Sequence, residues 1–155
     1  MSNYRYISHS EDETKAFAKK LASNLHSKDI VVLSGDLGSG KTKFTEGFLS
    51  YFNLEDEISS PTFNIVNEYT QNNIHIYHFD VYRLEDVSEF YEIGGDEYFE
   101  KGICLIEWGE LIREALPDNY IEIDFNKDDN DENIRYINLK TYGKDFEGRN
   151  LIWKH

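Results

Sequence analysis

The chain has 155 residues, with 16 basic and 30 acidic side chains and hence a formal net charge of −14. That length predicts one domain spanning residues 1–155, large enough to bury a core without staples. A single cysteine excludes a disulfide framework and a multi-cysteine metal site. No apolar run approaches the roughly 18 residues of a membrane helix. The opening MSNYRYISHSEDETK lacks a signal-peptide-like apolar stretch, so a soluble protein of a reducing compartment is expected. Residues 1–60 carry 7 basic and 9 acidic groups, net −2, and residues 61–155 carry 9 and 21, net −12. A surface this acidic repels polyanions, so any role near RNA is expected to run through a more basic partner.

In chain order, the first element is a helix over 10–24, with apolar residues at Phe17, Ala18, Leu21, Ala22 and Leu25 in helical spacing and a Ser10/Glu13 capping-box pattern. Ile30–Leu33 is all apolar and ends at a glycine, as a strand buried on both faces does; a helix over 41–52 follows. Runs at 63–69 and 74–79, joined by Gln71-Asn72-Asn73, predict a hairpin. Short helices are expected over 85–91 and 96–101, split by Gly94-Gly95. Ile103–Ile106 reads as a second central strand. Segments 120–125 and 134–139 alternate apolar and polar residues, which predicts half-buried strands near an edge, with the acidic loop 126–133 between them. The stretch 144–155 carries no periodicity that places it. Helices between buried strands predict an α/β layered fold, and the hairpin and late strands predict a mixed central sheet flanked by helices.

The segment Gly35-Asp36-Leu37-Gly38-Ser39-Gly40-Lys41-Thr42 fits G-x-x-x-x-G-K-[ST] at every fixed position. Its context is a β-rich strand before and an amphipathic helix after, the setting of a phosphate-binding loop. Glycines let successive N–H groups turn inward on an anion, and the helix N-terminus adds partial positive charge. Lys41 is expected at the β- and γ-phosphates and the Thr42 hydroxyl on Mg²⁺. Asp36 lies inside the loop, facing either solvent or the phosphates. Glu107, directly after a central strand, is the candidate second Mg²⁺ oxygen.

Asp80 ends the hairpin strand in His78-Phe79-Asp80-Val81-Tyr82-Arg83, where alternation puts His78, Asp80 and Tyr82 on one face. Two readings stand for Asp80: it orients an attacking water or meets Mg²⁺ through water, or it forms a structural ion pair with Arg83. His75 and His78 with one distant cysteine make a poor zinc set. Cys104 reads as a small core residue, and Trp108 either packs against the site or roofs the core, the core reading being preferred.

Four segments, GDLGSGKT at 35–42, SPTF at 60–63, HFDVYRL at 78–84 and IEW at 106–108, stand in an order and spacing that resemble the TsaE family, the small bacterial P-loop ATPases of tRNA threonylcarbamoyladenosine biosynthesis. The resemblance covers roughly residues 10–140. It implies a P-loop NTPase-like three-layer sandwich and a cytoplasmic subunit that binds and hydrolyses ATP with Mg²⁺. It further implies work with the TsaD–TsaB pair, which installs a threonylcarbamoyl group at N6 of adenosine 37 in tRNAs reading ANN codons, with tRNA met only through those partners. The residues it implies are Gly35 to Thr42 on the phosphates (Asp36, Leu37, Gly38, Ser39, Gly40 and Lys41 among them) and Thr42 with Glu107 on Mg²⁺. Thr62 falls in a switch-like loop, Asp80 near the γ-phosphate as a catalytic candidate beside Lys41 and Glu107, Trp108 after the magnesium acid, and Ser10 or Thr14 with Arg135 near the adenine. On the residues alone, two alternatives stay open: a P-loop kinase for a small metabolite, and a nucleotide-gated binding module.

Overall fold

Strand β2 (Ile30–Gly35) is the axis of the fold, and Ile30 to Leu33 are buried on both faces. In the computed structural model, which describes residues 3–35, 40–54, 65–82 and 84–151, β2 pairs in parallel with β5 (Ile103–Glu107) on one side and β6 (Tyr120–Lys127) on the other. Beyond β5 lies β4 (Ile74–Asp80), also parallel, and then β3 (Val66–Gln71), antiparallel to it. Beyond β6 come β7 (Arg135–Tyr142) and β1 (Asn3–Ser8), both antiparallel to their neighbours. The sheet is therefore mixed and seven-stranded, in the order β1-β7-β6-β2-β5-β4-β3.

Helices cover both faces. Helix α1 (Glu11–Ala22) and helix α2 (Lys41–Ser50) pack on one face, where Phe17, Leu21, Phe44 and Phe48 join Val31, Leu33, Leu105 and Ile123 in one buried cluster. On the other face, α3 (Val87–Glu92) and the 3₁₀ turns Gly95–Glu100 and Gly109–Ala115 cover Val32, Phe79, Cys104 and Ile106. The expected α/β sandwich with a mixed central sheet is the architecture found.

Local chemistry explains the elements. Ser10 caps α1 by accepting the Glu13 backbone N–H at 3.1 Å. Glu13 returns the favour one residue earlier than a capping box would, accepting from the His9 backbone N–H at 2.8 Å. The β3–β4 turn is Asn72-Asn73, both with positive φ (51° and 69°), the conformation that a tight two-residue hairpin demands and asparagine tolerates. The β4–β5 register is set where the strands begin: a Cβ on Gly102 would stand 2.2 Å from the His75 carbonyl oxygen, so only glycine allows that approach.

Two expectations need correction. Strand β6 is not near an edge but lies between β2 and β7, and its Tyr120–Ile123 stretch is buried on both faces. Its alternation survives because the polar residue is paired: Glu122 accepts from Arg113 at 2.9 Å and from the Tyr142 hydroxyl at 3.3 Å. Strand β1 was not foreseen; it covers β7, which would otherwise be the edge. The unplaced segment after 143 opens with a 3₁₀ turn at Lys144–Phe146 and returns to the connection between α1 and β2, where Asn24 donates to the Leu151 carbonyl. There Arg149 donates to both Asp29 oxygens, at 3.1 and 2.8 Å.

Candidate functional site

The parallel strands β2, β4 and β5 end together, and their carboxyl ends converge on the start of α2. In α/β sheets this is the edge where ligands bind. Gly35 closes β2 with φ +124°, and a Cβ there would lie 2.5 Å from the Phe125 carbonyl oxygen of β6. Glycine lets the chain leave the sheet at that point. Asp36, Leu37, Gly38 and Ser39 lie outside the described residues. Gly40 re-enters in the left-handed region (φ 114°) as the N-cap of α2, with no side-chain cap and no acid in the first turn. The first N–H groups of α2 therefore carry partial positive charge without a side chain of the cap to neutralise it.

Lys41 is 5% exposed. Its Nζ donates to the Gly35 carbonyl at 2.8 Å and sits 3.4 Å from the centroid of the Trp108 ring. A cation over an indole face is attracted by the ring quadrupole, so the ammonium is held at the root of the loop. Trp108 adopts φ 64°, and its N–H donates to the Leu33 carbonyl at 3.0 Å, drawing the end of β5 against β2. Its ring also lies 4.8 Å from that of Tyr82. Trp108 thus takes both of the placements considered for it: it packs on the second core cluster and its ring also lies under Lys41.

Glu107 ends β5 opposite Asp80 of β4 and Leu33 of β2. Its side chain is 15% exposed, and Oε2 lies 2.5 Å from Nε2 of His78, whose side chain is 3% exposed. Asp80 is partly buried, and its Oδ1 accepts the Tyr82 backbone N–H at 3.0 Å. Arg83, the other half of the ion pair considered above, lies outside the described residues, as do Ser60, Pro61 and Thr62. Thr42 is exposed in the first turn of α2.

Glu107, Asp80 and the Thr42 hydroxyl offer hard oxygens, and no group of three or more His, Cys, Asp or Glu side chains among the described residues forms a metal cage. That donor set fits Mg²⁺, which binds through one or two protein oxygens and keeps water and phosphate for the rest. Cys104 is buried in the core, and burial pushes its thiol up to about 12.

Ser10 and Arg135 lie at the β1–α1 turn and at the start of β7. Arg135 opens β7 opposite Ser8 of β1, and its Cγ lies 3.8 Å from where a Cβ on Gly40 would be. Its guanidinium donates to the carbonyls of Ile134, at 3.0 Å, and Glu132. Ser10 is exposed, two residues beyond Ser8. Thr14, its alternative, is buried with its hydroxyl 2.7 Å from that of Ser8. Ser8 donates to the Ser10 carbonyl at 2.8 Å, so Thr14 is the donor to Ser8 and is committed to holding the β1–α1 turn. Sequence reasoning set His78 on one strand face with Asp80 and discounted it as a zinc ligand, but gave it no role at this site.

The fold and this edge define an α/β protein whose glycine-bounded loop leads into a helix beside a buried lysine and paired strand-end acids. The family model for the threonylcarbamoyl adenosine biosynthesis protein TsaE matches residues 8–136. The TsaE protein of Bacillus subtilis is 40% identical over 148 residues, covering 95% of this chain and 91% of that protein. That of Rickettsia conorii is 44% identical over 126 residues, covering 81% and 72%. The crystal structure of YdiB from Bacillus subtilis superposes with a TM-score of 0.74 at 36% identity, covering 91% of this chain and 86% of that one. This chain belongs to the TsaE family.

Proposed function

We propose that this protein is the Mg²⁺-dependent, ATP-binding and ATP-hydrolysing subunit that supports formation of N6-threonylcarbamoyladenosine at position 37 of tRNAs reading ANN codons. Its partners are the TsaD and TsaB proteins, which hold the tRNA. The observation that carries the reading is the convergence of Lys41, Glu107 and the uncapped start of α2 at one sheet edge, behind the G-x-x-x-x-G-K-T match.

In this reading the first N–H groups of α2 and the Lys41 ammonium bind the phosphates. Lys41 is already desolvated and lies beside the loop, so reaching a phosphate means exchanging the Gly35 carbonyl for a stronger acceptor. Mg²⁺, when bound, would offset charge on the β- and γ-oxygens; Thr42 and Glu107 would hold it. Asp80, beside Glu107 across the β4–β5 ladder, would orient the attacking water. Ser10 and Arg135 would meet the adenosine end, and Asp36, Leu37, Gly38, Ser39 and Thr62 would complete the nucleotide contacts.

The acidic second half of the chain would steer docking onto a basic face of the partners. No helix among the described residues is long and apolar enough to cross a membrane, in keeping with work in the cytoplasm.

The test is ATP hydrolysis by the protein alone and with TsaD–TsaB, each beside Lys41→Ala. Slow hydrolysis alone, a rise with the partners and loss of both in the variant are expected. Hydrolysis that survives Lys41→Ala, or transfer of γ-phosphate to a small molecule in place of water, would overturn the reading.

A further inference from the structure

His78 is a buried titratable side chain that this reading leaves without a role. It sits on β4 opposite Leu105 of β5, between the fully buried Ile76 on its own face and the site edge. A position with such neighbours suits an aliphatic residue, which would bury no polar atom. The imidazole instead bonds through Nε2 to Oε2 of Glu107 at 2.5 Å, while Nδ1 is buried and has no hydrogen-bond partner among the described residues.

These facts decide where the proton sits. An ionised carboxylate only accepts, so Nε2 is the donor in the His78–Glu107 bond. A second N–H at Nδ1 would be a buried donor without an acceptor, the costlier kind of orphan. Nε2 is therefore the protonated nitrogen that faces Glu107. The protein tolerates the orphan at Nδ1 because the other nitrogen makes a short, charge-assisted bond. One oxygen of Glu107 is spoken for, and Oε1 makes no hydrogen bond among the described residues.

We propose that His78 is a positioning residue: it pins Oε2 of Glu107 so that the carboxylate is ordered before the metal arrives and keeps Oε1 for it. The inference rests on the Mg²⁺–nucleotide reading above. A glutamate at a strand end has several rotatable torsions, and freezing them on binding costs affinity; a ring anchored in the β4–β5 ladder removes that cost beforehand. Partners that orient ligating carboxylates are worth about 10–100-fold in metal affinity.

The test uses Mn²⁺ as a paramagnetic stand-in for Mg²⁺, titrated by electron paramagnetic resonance into the full-length protein with ADP. ADP binding in EDTA and the melting temperature are read on the same samples. His78→Leu is expected to weaken Mn²⁺ binding about 10–100-fold, with metal-free ADP binding within about twofold. His78→Gln, whose Nε2 amide can donate to Oε2, is expected to recover most of the loss.

Unchanged Mn²⁺ affinity in His78→Leu would overturn the proposal. So would an equal loss of metal-free ADP binding, or a glutamine variant no better than leucine, because either marks a merely structural role. A wild-type protein that fails to tighten Mn²⁺ beyond ADP alone would sink the metal reading itself, and the proposal with it. Should His78→Leu not fold, imidazole ¹⁵N spectra of the metal-free wild type remain decisive: a proton on Nε2 supports the proposal, and a ring without one there overturns it.

Discussion

Gly47 lies inside α2, where glycine normally weakens a helix, so Gly47→Ala would ordinarily stabilise the protein by about 1 kcal/mol. The structure reverses that sign. A Cβ at Gly47 would meet three backbone atoms of Lys15 in α1, at 2.3, 2.5 and 2.7 Å. Ordinary contact begins at 3.4 Å, so the helices must part by about 1 Å. No rotamer change relieves a clash with backbone, and α1 cannot simply slide. Its start is tied down by the Ser10 cap and the Thr14–Ser8 hydrogen bond, and its face by Phe17 and Leu21 in the core. Overpacking costs about 1–3 kcal/mol, and backbone contact places this case at or above the upper end. After subtracting the gain in helix propensity, a net loss of about 2 kcal/mol remains. At about 2–4 °C per kcal/mol for a domain of this size, Tm should fall by about 4–8 °C, read by circular dichroism melts at one protein concentration. A melt at or above the wild-type temperature would refute the claim that α1 and α2 meet backbone to backbone at this residue.

Cys104, its thiol held near 12 by burial, should stay unmodified by a thiol reagent at pH 8 in the native protein and react on unfolding; prompt native labelling would contradict the placement of β5. Asp86 caps α3 by accepting from the Ser88 hydroxyl and from the Ser88 and Glu89 N–H groups, and these bonds hold its carboxyl below the usual value of 3.8. A depressed folded-state pKa stabilises above the unfolded value and is lost as pH falls through the folded one. Asp86→Ala should therefore be destabilised at pH 7 by urea titration, and the gap from wild type should close as the pH falls below about 3.8; a gap that widened on acidification would count against the cap.

The elements legible in the sequence were those whose signal is local. Ile30–Leu33 and Ile103–Ile106 declare buried strands because both faces are apolar, and α1 shows its 3.6-residue stripe and its Ser10 cap. Lys41 and Glu107 were legible because a spaced motif and a strand end are both written in consecutive residues.

What escaped depends on partners far along the chain. Strand β1 has little buried surface, and only its pairing with β7, over 120 residues away, makes it a strand. Strand β6 reads as half-exposed because Glu122 interrupts it, and only the fold brings Arg113 and Tyr142 to that carboxylate. Trp108 looks apolar and hence core-bound; its left-handed φ and its place under Lys41 follow from how β5 leaves the sheet. His78 and Glu107 stand 29 residues apart, and parallel pairing alone joins them.

The close approach of Gly102 to His75 has a consequence for how this family of chains can vary in length. Asp80 lies five residues beyond His75, and Glu107 lies five residues beyond Gly102. The two strands behave as rulers with a common zero, and both acids sit at the same mark. Insertions and deletions between the rulers, in the stretch from Tyr82 to Lys101, leave the two acids level with each other. A single residue gained or lost on either ruler would carry one carboxylate to the opposite face of the sheet. Length variation should therefore collect in the connecting stretch and spare the two five-residue spans.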